Sequence, residues 1–445
     1  MPIAVHLIEL AYVLMAAIFA IIYCRKGFPF WECLFLILII CSPYSISIIP
    51  FRQDTYESYG LYNNSGILNF LNFYKILGFS VLDLLALFLV AKNLNAALKI
   101  PPFFKKFYLG IVVVSIISYT ISSFFMWSPE LDSVARALSI LKSIVYIVAI
   151  YCVIDKACQS IGLNAFLRML ANIIFVYCIV NAVLLNFLPG WYTWVKYSFN
   201  YLFLDQTDQF IVFLYCVIAL WGPLSHQHRY KIYALILVTM LTLSGGKAGI
   251  YSLLVLGIAW IYQKTKTSAA NLGVLFLFIM LLSWIISYVI GMYMLDISIY
   301  TRYFQVYQLF LNYEDNLLLL FFGIGPSKAY IFFDTPVFFD PGAYISDELK
   351  SDYKLAFQMP YLSWIKNFGL LGVCFLFAAI NNVVRMSWVF KNNKLFSSAA
   401  FYALGLYFVL VGFMDFPSFG LKTIIPISLY MYLVRYGIAY SKRKI

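Results

Sequence analysis

The stretch from Tyr108 to Met126, YLGIVVVSIISYTISSFFM, has nineteen residues and no charged side chain. Lys105 and Lys106 come shortly before it, and the next charged residue is Glu130. A helix of this length spans the roughly 30 Å hydrocarbon core of a bilayer. Because similar apolar blocks recur along the chain, separated by short polar clusters, the stretch predicts one membrane helix among many.

The composition supports the same fold class. Of the 445 residues, 63% are hydrophobic and 11% are charged, whereas a soluble domain is roughly half apolar and a quarter charged. This excludes a water-soluble globular enzyme. The apolar blocks are also too long for a transmembrane β-barrel, whose strands alternate over roughly ten residues. We therefore predict an all-α polytopic membrane protein in which residues 1–445 form a single integral membrane domain.

The eight cysteines lie in or beside the apolar blocks, where a thiol behaves as a small hydrophobic group. Their spacing matches no disulfide, zinc or haem motif. With only three histidines, a metal-binding histidine cluster or a Ser-His-Asp triad is hard to assemble. We therefore predict no metal and no cofactor.

About thirteen membrane helices are expected, near residues 4–23, 30–50, 71–91, 108–126, 139–155, 170–188, 207–223, 230–244, 247–263, 272–294, 359–381, 397–414 and 422–439.

The distribution of positive charge predicts the orientation. Lys and Arg collect in alternate loops, as they do in cytoplasmic loops of membrane proteins. The formal net charge of +12 is dispersed over these loops and favours a role in topology over nucleic-acid binding. The C-terminus is therefore predicted to be cytoplasmic and the N-terminus to be outside. The loops assigned to the cytoplasm hold Arg25, Lys26, Lys92, Lys99, Lys105, Lys106, Lys156, Arg168, Arg229, Lys231, Lys264, Lys266, Arg385, Lys391, Lys394, Lys442, Arg443 and Lys444.

One predicted outside loop, residues 295–358, is far longer than ordinary connections. Within it, Thr301–Phe322 is predicted to form a short amphipathic helix with one polar stripe on an apolar and aromatic cylinder. Two interpretations remain open, namely a helix that lines a polar cavity and a helix that lies at the membrane surface with its stripe in solvent. A single Arg followed by amides favours the cavity. The stripe consists of Arg302, Gln305, Gln308 and Asn312.

A second candidate site is the hairpin Ser244-Gly245-Gly246-Lys247, which joins two predicted membrane helices on the outside. Glycines allow backbone N–H groups to approach an anion, and the N-terminus of the next helix attracts negative charge. The alternative is a tight turn whose Lys247 extends to the membrane interface. The positive-inside pattern disfavours a lysine there, which supports an anion site.

Five ionisable residues lie within or at the ends of predicted membrane helices. Asp83 and Lys142 are candidates either for function or for a structural interhelical pair. Lys366 and Asp415 lie near helix ends, where a side chain commonly extends to the interface. Asp208 opens the seventh predicted helix, where capping of that helix competes with a role as a base.

Three motifs resemble those of the bacterial O-antigen polymerases (Wzy) and O-antigen ligases (WaaL), over roughly residues 205–380. Ser244–Lys247 is similar to the Ser-Arg-Gly-like turn of that superfamily, with Lys where Arg is usual. Arg302, followed by Phe322-Gly323-Ile324-Gly325-Pro326, resembles its outside-loop Arg and Gly-x-Gly. Tyr361, followed by Asn367-Phe368-Gly369-Leu370-Leu371-Gly372, resembles the start of the helix after the large loop. The ligases carry a His just before this last motif, where the present chain has Gln358, and this difference favours a polymerase.

The resemblance implies inverting, metal-independent glycosyl transfer between undecaprenyl-diphosphate-linked glycans, as donor and acceptor, at the outer face of the bacterial cytoplasmic (inner) membrane, for lipopolysaccharide or capsule-type polysaccharide. It implies membrane lipid as a partner, a chain-length regulator protein as a further partner, and no nucleic acid. Arg302 and Lys247 are the expected catalytic cations, because departure of a diphosphate builds negative charge. The expected substrate contacts are Arg136, Lys328, Gln305, Gln308, Gln358, Tyr361 and Asp208.

Three other functions remain open from the sequence. An O-antigen ligase would share the fold and the motifs. A lipid-linked oligosaccharide flippase or other transporter would be equally polytopic, although it would place polar residues at mid-membrane. A non-catalytic scaffold for envelope assembly would tolerate loss of Arg302 and Lys247.

Overall fold

The computed structural model describes the helices and a few connecting segments of the chain. A first strand pair, β1 (Lys75–Ile76) and β2 (Phe79–Ser80), is antiparallel, and so is a second, β3 (Tyr330–Ile331) and β4 (Tyr353–Lys354). The described residues are 2–41, 75–76, 79–125, 139–187, 206–244, 247–265, 268, 271, 274, 307–314, 316–326, 328, 330–331, 353–354, 360–389, 397–414 and 421–442.

The protein is an all-α membrane protein. Within the described residues, four helical stretches are long and apolar enough to cross a membrane, and several shorter apolar helices accompany them. The four are Pro102–Phe125, Leu141–Ile161, Leu163–Val183 and Trp364–Val389. The helices are α1 (Pro2–Arg25), α2 (Phe30–Ile40), α3 (Val81–Lys92), α4 (Leu94–Ala97), α5 (Pro102–Phe125), α6 (Ser139–Ile161), α7 (Leu163–Phe187), α8 (Gln206–Trp221), α9 (His228–Leu243), α10 (Lys247–Lys264), α11 (Leu317–Phe322), α12 (Pro360–Val389), α13 (Ser398–Met414) and α14 (Leu421–Lys442).

Three helices form the centre of the bundle. Residues 208–219 of α8, 399–410 of α13 and 421–434 of α14 are buried without interruption. A helix that is hydrophobic all round is expected to pack inside other helices. In contrast, α5 turns one side outward, and Leu109, Ile116 and Phe124 on that side are 62–84% exposed. Exposed apolar side chains of this kind face lipid in a membrane protein.

Charged pairs link helices within the bundle. Glu32 of α2 accepts from Lys92 at 3.1 Å and from the side chain of Asn93 at 2.9 Å. Asp155 of α6 pairs with Arg435 of α14 at 2.8 Å. Because removing a carboxylate from water is costly, each buried acid is stabilised by its cation.

The third membrane helix begins later than predicted. The sequence predicted a helix from residue 71, whereas α3 begins at Val81, after the β1–β2 pair. The Ser80 hydroxyl accepts from the Asp83 N–H at 3.1 Å, and the Asp83 carboxylate accepts from the Ser80 N–H at 2.8 Å. This capping box satisfies two donors at the helix start and explains the later beginning. The same carboxylate pairs with Lys142 at 2.8 Å and accepts from the Tyr146 hydroxyl at 2.7 Å, so the structural interhelical pair is the observed arrangement.

The prediction of one continuous helix over Thr301–Phe322 is wrong for the residues of this range that the structure describes. Residues 307–314 are helical, and α11 begins only after Asn316, whose extended backbone interrupts the helix. The Asn316 side chain accepts from the N–H groups of Leu318 and Leu319 at 3.0 and 3.4 Å. An Asn in this position is a preferred N-cap, which accounts for the second start.

Candidate functional site

Two glycines end α11 in conformations that other residues rarely adopt. Gly323 has φ of 84° and Gly325 has φ of 100°. They are the glycines of the Phe322–Pro326 motif, and glycine reaches positive φ without the steric cost that a Cβ imposes. The chain therefore turns sharply after Phe322, and we call residues 323–325 the glycine turn.

The glycine turn packs directly on a break in α12. This helix is interrupted at Gly369, where φ is 56° and ψ is −147°. A Cβ on Gly323 would lie 2.5 Å from the Phe368 nitrogen, and a Cβ on Gly369 would lie 2.6 Å from the Gly323 nitrogen. The Ile324 N–H also donates to the Lys366 carbonyl at 2.6 Å. Two motifs that are about forty residues apart in the sequence are thus in backbone contact, and their glycines make that contact possible.

The other side of the glycine turn lies against α5. A Cβ on Gly325 would come within 3.2 Å of the Tyr119 nitrogen. The Ser118 hydroxyl donates to the Phe322 carbonyl at 2.5 Å. Together these contacts hold the turn between two helices that are long enough to span a membrane, so its position is determined by the bundle.

Two buried lysines flank the glycine turn. The Lys366 ammonium donates to the carbonyl of Gly325 at 3.2 Å and to the carbonyl of Lys328. The Lys328 ammonium donates to the Ser123 hydroxyl at 3.0 Å and lies 5.6 Å from the centre of the Tyr119 ring. Lys366 therefore points into the protein, and the expectation that it extends to the membrane interface is wrong.

The helical segment at residues 307–314 packs beside the glycine turn and has two buried polar side chains. Gln308 and Asn312 are buried, whereas Tyr307 and Phe310 are 49% and 61% exposed. For these two members of the polar stripe, the structure favours a face directed into the protein over a face in solvent. The Tyr313 hydroxyl donates to the carbonyls of Ile365 and Lys366 at 3.0 and 3.3 Å. Burial raises the pKa of Tyr313, which keeps this hydroxyl protonated as a donor.

Asp208 lies in a separate buried cluster formed by four helices. Its carboxylate lies 2.5 Å from the Lys422 ammonium of α14. It also accepts from the hydroxyl of Tyr177 at 3.1 Å and from the side-chain amide of Asn181 at 2.7 Å, both on α7. The Asn181 carbonyl oxygen in turn accepts from the Tyr12 hydroxyl of α1 at 2.5 Å. We call these five residues the Asp208 cluster.

The Asp208 cluster corrects the sequence interpretation of its central residue. Asp208 is in the first turn of α8, but its carboxylate binds groups on α7 and α14 rather than capping its own helix. The sequence did not single out Lys422, because a lysine at the start of an apolar helix is also typical of a residue that extends to the interface. The one signal that could have identified this pair is opposite charge at the starts of two helices predicted to run in the same direction.

Several predicted site residues have no described surroundings. Arg302, Arg136, Gln305 and Gln358 lie outside the described residues. Lys247 is the first residue of α10 and Tyr361 is the second residue of α12, and for both only the backbone is described. The expected proximity of Arg302 and Lys247 therefore stays a prediction.

Comparison with protein-family models, curated proteins and solved structures finds no match to this chain. The resemblance to polysaccharide polymerases and ligases therefore rests on the three motifs. Two of them, the glycine turn and Asn367–Gly372, are in contact. For the third, Ser244–Lys247, the described residues place Gly249, two positions after it, beside Gln209 of α8.

Proposed function

We propose that this chain polymerises undecaprenyl-diphosphate-linked oligosaccharide repeat units into an O-antigen or capsule-type polysaccharide. One observation carries the proposal: the glycine turn is seated on the Gly369 break, with the buried lysines Lys328 and Lys366 beside it. A glycosyl transferase of this kind needs its motifs to converge around an anion. Their contact supports one common site, and Lys328 supplies positive charge there.

The reaction defines what the site must do. An oxygen of a sugar hydroxyl on the acceptor attacks the anomeric carbon of the donor glycan from the side opposite the diphosphate. A new carbon–oxygen bond forms as the bond between the anomeric carbon and the diphosphate oxygen breaks, so the configuration inverts. The leaving undecaprenyl diphosphate takes the electron pair, and the hydroxyl proton goes to a base or to the departing diphosphate.

Fixed cations are the main catalytic requirement of such a step, because negative charge grows on the leaving group. We assign this role to Arg302 and Lys247, with Lys328 as a further contact. Lys366 is a positioning residue in this scheme, because its ammonium donates to two backbone carbonyls and thereby holds the glycine turn. Asp208 belongs to the scaffold in the same scheme, since its carboxylate is fully buried and bound to Lys422.

The proposal also includes an orientation. The C-terminus lies in the cytoplasm, and the glycine turn lies at the outer face of a bacterial inner membrane. The alternation of basic loops supports this orientation. It gives the site access to glycans that have already crossed the membrane on their lipid carrier.

The experiment that tests the proposal is gel electrophoresis of surface polysaccharide from a deletion strain. We expect lipid core capped with single repeat units, and a full polymer ladder after complementation with the wild-type gene. Unmodified lipid core would instead indicate a ligase or a flippase and would contradict the proposal.

Complementation with variants then tests the site. Arg302→Ala at normal protein level should give no polymer, and Arg302→Lys should give little, because Lys lacks the planar fork that binds phosphate through two hydrogen bonds. Lys264→Met is a matched control, because Lys264 is exposed at the last residue of α10. It should restore the ladder. A full ladder from Arg302→Ala would remove Arg302 from the site.

A further inference from the structure

Gln209 of α8 carries a buried side-chain amide. Its side chain is fully buried, and neither its Nε2 nor its Oε1 has a hydrogen-bond partner among the described residues. Burying a polar group without a hydrogen bond lowers the stability of the fold. A Leu or Met of similar volume would avoid this cost, so the amide calls for a functional explanation.

The Gln209 Oε1 lies beside the first turn of α10. Gly249 is the third residue of this helix, and a Cβ on Gly249 would lie 3.2 Å from the Gln209 Oε1 and 3.3 Å from the Leu241 Cδ1. The absence of a side chain at residue 249 therefore leaves the amide beside the helix start. The first N–H groups of a helix lack partners within the helix, and the helix dipole is positive there. With eighteen residues, α10 is long enough to have a substantial helix dipole.

We propose that Gln209 and the first turn of α10 form a subsite for the sugar that is attached directly to the lipid diphosphate. This inference rests on the proposed function and extends it from the diphosphate to the adjoining sugar. The α10 N-terminus and Lys247 bind the phosphate end, and the Gln209 amide binds the sugar. Because the amide is covered, the first turns of α8 and α10 separate when the glycan enters, and the hydrogen bonds gained by the amide offset that cost.

The chemistry of the amide identifies the sugar as its ligand. A carboxamide offers one acceptor oxygen and two N–H donors. A phosphate oxygen only accepts, so it would satisfy Nε2 and leave Oε1 without a partner. Sugar hydroxyls, or an acetamido group on the sugar, both donate and accept and would satisfy both atoms. An amide that pairs with a sugar group through both its oxygen and its nitrogen also makes the site selective, because an analogue without that group would leave the buried amide unpaired.

The test measures binding to the full-length protein in detergent, with two probes. One is the lipid-linked repeat unit that accumulates in the deletion strain, and the other is undecaprenyl diphosphate, which has no sugar. Gln209→Met keeps the volume and removes both polar atoms. We expect Gln209→Met to bind the repeat unit about tenfold more weakly than wild type, equivalent to about 1.4 kcal/mol. It should bind undecaprenyl diphosphate as wild type does, and its unfolding temperature without a probe should be unchanged or higher.

Gln263→Met is the matched control, because Gln263 lies near the other end of α10 and its Oε1 accepts from the Trp221 indole at 2.8 Å. It should bind both probes normally. Should Gln209→Met fail to fold, Gly249→Ala provides the second variant, since its Cβ would press on the Gln209 Oε1. The same selective loss of repeat-unit binding is expected from it.

Three results would overturn the inference. Unchanged binding of the repeat unit by Gln209→Met would mean that the amide is a packing defect. Equal weakening of both probes would assign Gln209 to the diphosphate instead of the sugar. If wild-type protein binds neither probe, the proposed function fails together with the inference, whereas the first two results leave the proposed function intact.

Discussion

The pair of Asp208 and Lys422 provides the sharpest test of how the bundle is held together. Replacing Lys422 by Met removes an ammonium group that lies 2.5 Å from the Asp208 carboxylate, in a site where both residues are buried. The carboxylate keeps its hydrogen bonds from Tyr177 and Asn181, but these donors carry no net charge. Breaking a buried pair from one side typically costs about 3–5 kcal/mol. Because two donors remain, we expect a loss near the lower end, about 3 kcal/mol.

The double variant Asp208→Asn/Lys422→Met should recover most of this loss. It removes both charges and keeps an oxygen that accepts from Tyr177 and Asn181, so its free energy of unfolding should lie within about 1 kcal/mol of wild type. The assay is equilibrium unfolding by SDS in mixed micelles, and Lys264→Met serves as the control for loss of an exposed lysine. A coupling energy near zero between residues 208 and 422 would refute the buried ion pair.

Three further outcomes are expected. Gly369→Ala should lower the free energy of unfolding by about 2–3 kcal/mol, since its backbone requires positive φ and its Cβ would meet the glycine turn. Gly257→Ala, where a Cβ would meet no atom within 4 Å, should raise the free energy of unfolding by up to about 1 kcal/mol. The same effect from both variants would contradict the close contact of Gly369 with the glycine turn. Lys328→Met should reduce surface polymer roughly tenfold or more on gels, and an unchanged ladder would exclude it from the site. A reporter active only in the cytoplasm should be active after Ile445 and silent near Pro341, and the reverse would overturn the orientation.

The contacts around the glycine turn suggest why Lys366 and Tyr313 matter despite their absence from the predicted site. The Lys366 side chain donates to the carbonyl of Gly325 in the glycine turn and to the carbonyl of Lys328. The Lys366 carbonyl accepts from Tyr313 in the helical segment at 307–314, so this residue joins three segments. The Tyr313 hydroxyl donates to the same Lys366 carbonyl that accepts from the Ile324 N–H. Residues of this kind position a site without contacting its substrate, and their variants are expected to affect folding and activity together.

The sequence alone determines the fold class and much of the local chemistry. An uncharged run such as 108–126 must lie in lipid or in a core of apolar helices, and its length matches a membrane span whatever surrounds it. The Phe322–Pro326 and Asn367–Gly372 motifs were also recognisable, although the turn after Phe322 and the break at Gly369 were not predicted. These properties depend on residues that are close together in the chain.

The tertiary structure decides which of these local features meet. The contact between Gly323 and Gly369, the burial of Gln308, and the pairing of Asp208 with Lys422 across 214 residues depend on which helices are neighbours. Hydropathy does not specify this order, because apolar helices with similar surfaces can pack against lipid or against one another at similar cost. Local hydrogen bonds also override an apolar run, as the Ser80 capping box does where the helix predicted from residue 71 begins only at Val81. Only the packed bundle therefore shows which polar side chains are buried, since these side chains bind groups on other helices.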